Sequence, residues 1–221
     1  MKPLKSEVTD SSTLEELGRA SVQIVHDLKN QLNGLKLYAT FLRKRMEKAE
    51  RPEDERETVA KLIQGLERAA SDMTTLVRLG RPVELRRQAG VNLSSLLAEA
   101  ANGTGALDES DSAAALEGEF DAAALSEAFK AIHTSASTLS SRGAERGPLE
   151  VSIKLDESES KPQALIEWRG LKTATDPFHS YAGSDALRMS LAAKIIEAHG
   201  GVARYEDNTL SVRLPIEKRQ D

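Results

Sequence analysis

The chain contains no cysteine, and this absence excludes disulfide bonds and metal sites built from thiolates. No run approaches the roughly 18 apolar residues of a membrane span, and the first ten residues lack the apolar core of a signal peptide. The four histidines are scattered without ligand spacing, which argues against a metal site. These absences predict a cytoplasmic protein that has no membrane anchor and no sensor domain.

An excess of positive charge is also missing. The 30 basic and 35 acidic residues give a net charge of −5, which offers no support for nucleic-acid binding. A length of 221 residues suffices for one or two domains with real cores. The hydrophobic content of 39% and charged content of 29% are typical of a soluble, helix-rich protein.

The stretch from Ser21 to Leu42 predicts the middle of a long amphipathic helix. Its apolar spacings of three, four and seven fit a heptad seam that buries one face against a partner helix. The seam residues are Leu14, Leu17, Ile24, Leu28, Leu35, Tyr38 and Leu42. His26 lies two residues from the nearest seam positions, roughly 200° around the helix, so it faces away from the seam. Asn30 falls on the same outer face, and Asp27 flanks the imidazole.

The helix start and stop signals around this stretch predict a helical hairpin. The capping-box pattern from Ser12 predicts that the first helix runs from Ser12 to about Glu50, after residues 1–11, which we expect to be disordered. A second helix starts near Pro52 and stops at Gly80. Its apolar stripe is Val59, Leu62, Leu66, Ala69, Met73 and Leu76. The short connection makes residues 12–82 an antiparallel hairpin, and two copies would complete a four-helix bundle as a homodimer.

Residues 83–221 predict an α/β sandwich with helices on one face of a mixed sheet. Residues 101–118 are rich in Ala, Gly, Ser, Asp and Glu and are interpreted as loop. The predicted helices are residues 122–137 and 187–198, and the predicted strands are residues 149–155, 164–168, 202–205 and 210–214. The last two strands flank a hairpin turn over residues 206–209.

An imidazole held in solvent beside a carboxylate suits nucleophilic chemistry, because the carboxylate orients the ring and favours the tautomer with a free nitrogen. The surrounding sequence VHDLKNQL, residues 25–32, resembles the H-box of bacterial sensor histidine kinases. In that family the phosphoacceptor histidine is followed by an acidic residue and, four residues after the histidine, by Asn or Thr. His26, Asp27 and Asn30 match these three positions as catalytic candidates, while Gln31 stands where proline commonly follows.

The second region resembles the ATPase domain of the same family in several motifs. Asp176-Pro177-Phe178 is similar to its F-box, and residues 192–201, AAKIIEAHGG, resemble the helix and Gly-Gly turn near the end of that domain. Leu214-Pro215 is similar to its last strand. The resemblance implies a dimeric helical bundle followed by an ATPase-like α/β sandwich.

The residues that hold nucleotide in that family are replaced here. Ala131 and Ser135 stand at the positions of the magnesium-binding Asn, and Trp168 replaces an Asp that would hydrogen-bond adenine. The glycine-rich turn before the last helix has become residues 184–188, SDALR, whose side chains obstruct the close approach of backbone N–H groups to phosphates. We therefore expect no ATP cofactor, and magnesium supplied by the partner.

Three functions remain open from the sequence. The first is a histidine phosphotransferase that passes a phosphoryl group through His26 to or from aspartates of response-regulator receiver domains. The second is an active sensor histidine kinase, and the third is a non-catalytic response-regulator-binding or phosphatase module. The expected receiver-docking surface is the outer face of the first helix at Asn33, Leu37 and Thr40. Leu37 lies off the seam, so the bundle alone does not explain an apolar residue there.

Overall fold

The computed structural model describes residues 7–48, 52–101, 107–108, 116–140, 149–157, 161–171, 173, 175–180 and 183–216. Contacts divide the chain into two units, Met1–Pro82 and Val83–Asp221. The first unit is helical and the second combines helices with two sheets. The predicted class, a helical hairpin followed by an α/β sandwich, is confirmed.

The first unit consists of α1, Glu7–Lys48, and α2, Glu53–Leu79. The helices pack along each other, and Lys36 of α1 pairs with Glu67 of α2 at 2.8 Å. Helix α1 has 42 residues and is about 63 Å long at 1.5 Å per residue. It begins at Glu7, so the predicted start at Ser12 is wrong.

Helix α2 has the boundaries that its sequence signals predict. Pro52 caps it, three acidic side chains occupy its first turn, and Arg78 lies in its last turn. This charge order is favourable at both ends of the helix dipole. Gly80 follows as the C-cap and ends the helix.

The second unit carries three helices and seven strands among its described residues. The helices are α3 Leu93–Ala101, α4 Ala122–Ser140 and α5 Ser184–Ala198, with a 3₁₀ turn at Pro177–His179. The strands are β1 Gln88–Asn92, β2 Leu107–Asp108, β3 Glu117–Phe120, β4 Glu150–Asp156, β5 Gln163–Arg169, β6 Val202–Glu206 and β7 Thr209–Pro215.

The main sheet has the strand order β2-β4-β5-β7-β6, and β1 pairs with β3 in a separate ladder. The β2–β4 pair is parallel and the other pairs are antiparallel, so the sheet is mixed, as predicted. The last pair, β6 and β7, turns through Asp207 and Asn208, both with positive φ. Asp and Asn tolerate this conformation better than most residues, which explains the tight hairpin at the predicted place.

Every second residue of the central strands is buried, and these residues form the core of the second unit. Leu210, Val212 and Leu214 are fully buried in β7, and the aligned residues of β5 are buried beside them. The rings of Phe129 in α4 and Trp168 in β5 lie 6.4 Å apart, so helix α4 packs against this side of the sheet. The opposite side carries ion pairs such as Lys154 with Glu167 at 3.5 Å.

The predicted loop at residues 101–118 is wrong in part, because β2 and the start of β3 lie within it. Strand β3 has only four residues, EGEF, of which Gly118 and Phe120 are buried. A Cβ at Gly118 would lie 2.5 Å from the ring of Phe120, so a larger residue there would force this buried ring to move. With only two inward-facing positions, the alternating pattern of β3 is too short to predict a strand from the sequence.

Candidate functional site

His26 lies in the middle of α1 with its side chain 51% exposed. Its Nδ1 lies 3.4 Å from Oδ1 of Asp27 and 3.4 Å from Nδ2 of Asn30. Nothing in the described part of the chain hydrogen-bonds to Nε2. Asp27 and Asn30, the two residues predicted to assist His26, therefore both approach Nδ1 of its ring, and Nε2 is the open nitrogen.

The two contacts at Nδ1 of His26 favour opposite tautomers. The Asp27 carboxylate only accepts hydrogen bonds, so its contact requires a proton on Nδ1 and leaves a lone pair on Nε2. The Asn30 amide nitrogen donates to Nδ1 only when the proton is on Nε2. Both contacts, at 3.4 Å, are longer than the about 2.8 Å of a strong charge-assisted hydrogen bond. Neither contact alone locks the ring in one state.

The helix is continuous through this site. Gln31 occupies the position where the resemblance would place proline, and α1 passes through it without interruption. A proline there would remove the N–H that bonds the carbonyl four residues earlier, which belongs to Asp27. The unbroken helix keeps His26 and Asn30 on one face, since residues four apart are neighbours on a helix surface.

The predicted docking residues differ in what they present to solvent. Asn33 is exposed, and Leu37 is 54% exposed. Thr40 is half-buried, and its hydroxyl donates to the backbone carbonyl of Lys36 at 2.8 Å. The hydroxyl of Thr40 is thus engaged by its own helix, while Asn33 and Leu37 face outward.

Phe41 is an apolar residue of the same face that sequence reasoning missed. It is 58% exposed and follows Leu37 by four residues. At about 100° per residue, Leu37 and Phe41 both lie within about 60° of His26 around the helix. The available signal was an aromatic residue one turn beyond Leu37 and outside the heptad seam.

The heptad seam of α1 is exposed in the single chain. Its described large residues are Ile24, Leu28, Leu35, Tyr38 and Leu42, and α2 adds the exposed Leu62 and Leu76.

The side of α1 that packs on α2 contains Leu32 and Ala39, of which Ala39 is 3% exposed. That side lies roughly 80° around the helix from the centre of the seam at 100° per residue. Helix α1 therefore carries two apolar faces, and α2 covers one of them.

The positions expected to hold nucleotide lie in or next to the core of the second unit. In α4, Ala131 is half-buried and Ser135 is buried. Helix α5 begins at Ser184, directly after Gly183 with a φ of 99°. Within its first turns Arg188 lies 3.5 Å from Asp185, so charged side chains occupy the place of the glycine-rich turn.

Trp168 is fully buried in β5 and packs beside Phe129. Its Nε1 is buried and has no hydrogen-bond partner among the residues that the structure describes. It lies in register with Val151 of β4 and Leu210 of β7. The indole therefore serves as core where the resemblance would place an adenine-binding carboxylate.

The other three histidines lie in the second unit. His133 and His199 are buried in the second unit. His179 is exposed, and its Nδ1 lies 2.7 Å from Oδ2 of Asp176. Asp176 also accepts the backbone N–H of Phe178 and so caps the 3₁₀ turn. The His179 contact thus belongs to a turn cap.

Metal and membrane signals are lacking in the described segments. They contain no group of three or more His, Cys, Asp or Glu side chains that could hold a metal ion. None of their helices combines the length and apolar character needed to cross a membrane.

Two solved structures resemble this chain along most of its length. A crystal structure of full-length ShkA in complex with AMPPNP matches with a TM-score of 0.67 and 14% identity, covering 90% of this chain and 46% of the ShkA chain. The Acinetobacter baumannii histidine kinase AdeS matches with a TM-score of 0.56 and 15% identity, covering 87% of this chain and 98% of that one. The chain has a histidine-kinase fold. It spans about half the length of the ShkA chain that it matches.

The histidine-kinase fold is identified through structure, since no protein-family model and no curated protein matches the sequence. At 14–15% identity the similarity establishes the fold alone. Both matches extend over the helical hairpin and the α/β unit, because neither unit alone amounts to 87% of the chain.

Proposed function

We propose that this protein acts in two-component signalling as a histidine phosphotransferase, passing a phosphoryl group through His26 to or from receiver-domain aspartates. The observation that carries the proposal is the ring of His26, which is exposed, approached at Nδ1 by Asp27 and open at Nε2. The histidine-kinase fold supports it, since such a helical hairpin is where the resemblance places a phosphoacceptor.

The transfer step uses the Nε2 lone pair of His26 as nucleophile. Nε2 attacks the phosphorus of an aspartyl phosphate, an N–P bond forms, and the P–O bond to the receiver carboxylate breaks. The carboxylate leaves with the bonding electrons, and the proton stays on Nδ1. Asp27 orients the ring and stabilises the imidazolium character that develops. The reverse step returns the phosphoryl group to a receiver aspartate.

Asn30 is proposed to contact the phosphoryl group or an attacking water. Its amide lies next to the ring, 3.4 Å from Nδ1. When the amide turns away from Nδ1, Asp27 remains as the partner of that nitrogen and the ring adopts the nucleophilic tautomer. Asn30 would then be free to donate towards the transferred group.

Docking of the receiver is proposed at the outer face of α1, on Asn33, Leu37 and Thr40, extended by Phe41. Leu37 and Phe41 are more than half exposed and lie on the side of the helix that carries His26. Partly exposed large apolar residues near a reactive group fit the buried centre of a protein interface. Since Thr40 bonds its own backbone, its contribution would be through its methyl group.

A homodimer through α1 and α2 would cover the second apolar face of the hairpin. The exposed seam runs from Ile24 to Leu42, and Leu62 and Leu76 extend an apolar stripe along α2. In a four-helix bundle each helix packs on two neighbours, which matches two apolar faces on α1. His26 would remain on the outside of such a bundle, accessible to a receiver.

We further propose that the reaction uses no ATP. Trp168 is part of the core, and Ala131 and Ser135 offer no amide oxygen to a magnesium ion. Asp185 adds negative charge where phosphate groups would approach α5. Magnesium, which the transfer requires, is expected from the receiver domain.

An autophosphorylating kinase is the second candidate, favoured by the overall similarity of both units to histidine kinases.

The test that separates the candidate functions uses the purified full chain. It is incubated with a receiver domain carrying a radiolabelled aspartyl phosphate, and separately with γ-labelled Mg-ATP. We expect label from the receiver on His26 and none from ATP. Label from ATP would establish the kinase, and binding or hydrolysis of the phosphoreceiver without transfer would establish a docking or phosphatase module.

A further inference from the structure

Residues 83–87 lead from the helical hairpin into β1, and they are fastened to the α/β unit by two polar contacts. The backbone N–H of Arg86 donates to Oδ2 of Asp121 at 2.8 Å. The guanidinium of Arg87 donates to the carbonyl of Ala198 at the end of α5, at 3.0 Å. Both acceptors lie next to the same buried histidine, His199.

His199 is 2% exposed and joins two elements of the α/β unit. Its Nδ1 bonds the carbonyl of Ile195 at 2.8 Å, so Nδ1 carries the proton. Its Nε2 accepts the backbone N–H of Asp121 at 3.1 Å, so Nε2 must be unprotonated. The two contacts fix one neutral tautomer, and the ring of Phe120 lies 5.9 Å away.

Asp121 is the shared member of both sets of contacts. One carboxylate oxygen holds Arg86, while the other accepts the N–H of Ala124 and caps α4 at 3.0 Å. Its backbone N–H bonds His199. A change at Nε2 of His199 therefore acts on the same residue that retains the segment.

We propose that His199 and Asp121 form a proton-sensitive clamp, which holds residues 83–87 on the α/β unit and releases them when His199 takes up a proton. A proton on Nε2 would face the N–H of Asp121, so a hydrogen bond becomes a repulsive contact. The charged groups near the ring are Asp121, which favours the protonated form, and Arg87, which opposes it.

The direction of the response follows from the pKa values. Burial lowers the pKa of His199 below 6.5, although the Ile195 carbonyl opposes the shift. Neutral His199 therefore stabilises the closed clamp fully above the pKa that it has when the clamp is open. This stabilisation is lost as the pH falls through the lower pKa of the closed clamp. The N–H groups of Arg86 and Ala124 lower the pKa of Asp121 from its ordinary value of 3.8. Its carboxylate therefore stays charged between about pH 5 and 8. Of the two members of this contact, only His199 therefore changes its charge within that range.

The test measures amide hydrogen exchange of residues 83–90 in the full chain between pH 8 and 5, corrected for the intrinsic pH dependence of exchange. We expect the protection of the Arg86 amide to fall by up to about tenfold per pH unit below pH 6.5, the limit for uptake of one proton. Protection that stays constant over this range would overturn the proposal.

The matched variant is His199→Gln, whose side-chain oxygen can accept the N–H of Asp121 but does not titrate. Protection in this variant should be high and independent of pH, and the wild-type dependence persisting in it would contradict the clamp. A second readout covers the case in which the variant does not fold. In the wild-type protein, the NMR titration midpoints of the His199 ring and the Arg86 amide should coincide, and separate midpoints would also refute the proposal.

Discussion

The carboxylate of Asp27 approaches the ring of His26 at Nδ1, with 3.4 Å between Oδ1 and the nitrogen. The contact is made at Nδ1 and leaves Nε2 uncovered, so it supports the nucleophile without blocking it. A carboxylate in this position favours the reactive tautomer and stabilises the positive charge that develops on the ring.

Removing that carboxylate should slow phosphoryl transfer while leaving the fold intact. We expect Asp27→Ala to lower the transfer rate from a phosphorylated receiver by about a hundredfold, the low end of the range for acid–base assistance. Glu47→Ala is the control, since Glu47 is an exposed acid of the same helix, paired with Arg43 at 3.7 Å. Single-turnover transfer kinetics measure the effect. An Asp27→Ala rate equal to that of the control would remove Asp27 from the mechanism.

A charge on the outer apolar face should weaken receiver binding. We expect Leu37→Glu to raise the dissociation constant of a receiver domain by about tenfold, equivalent to 1.4 kcal/mol, as for a central apolar contact. Phe41→Glu should act in the same direction. Leu155→Glu places the same charge at a 37% exposed leucine of β4 and should leave affinity unchanged. Calorimetric titration would test this, and equal affinities for all three variants would place docking elsewhere.

A charge on the seam should act on assembly instead. Leu35 is 54% exposed in the single chain and lies about 160° around α1 from Leu37. We expect the wild-type protein to sediment as a dimer at micromolar concentration and Leu35→Glu to sediment as a monomer. Leu37→Glu serves as the control and should remain dimeric. A monomeric wild-type protein would contradict the proposed bundle.

Trp168 should behave as a core residue. Trp168→Ala is expected to lower the free energy of unfolding by about 3–5 kcal/mol, the usual cost of removing a large buried aromatic side chain. Trp168→Phe should cost far less, since the indole N–H has no partner among the described residues and its removal leaves no acceptor unpaired. Denaturant unfolding measures both variants. Similar losses for the two would mean that the N–H has a partner important for stability.

Periodicity predicted most of the fold, because long elements repeat their pattern many times. The second helix and the strands around Ile166 and Val212 follow their sequence patterns to within a few residues. Strand β3 was missed, since four residues give only two inward positions. The start of α1 was misplaced, because a capping box at Ser12 also fits the interior of a longer helix.

The proximity of His26, Asp27 and Asn30 was predictable from helical spacing, but the contacts between their side chains were not. Helical geometry places His26 and Asn30 on one face, and the structure brings Asn30 and Asp27 to the same ring nitrogen. Which ring nitrogen these side chains approach depends on their rotamers, which sequence spacing does not specify. The clamp around His199 joins residues 78 positions apart, and contacts of that range leave no local pattern.

The central claim is that His26 is the phosphoacceptor, and His179 provides a matched control. Both histidines are exposed and have a carboxylate at Nδ1, and the contact of His179 is the shorter, at 2.7 Å. The decisive measurement is label transfer from a phosphorylated receiver domain to His26→Ala and His179→Ala, with dimerisation checked by sedimentation. Loss of transfer in His26→Ala alone, with an unchanged dimer, is the predicted result. Continued labelling of His26→Ala would show that the nucleophile lies elsewhere and would contradict the account.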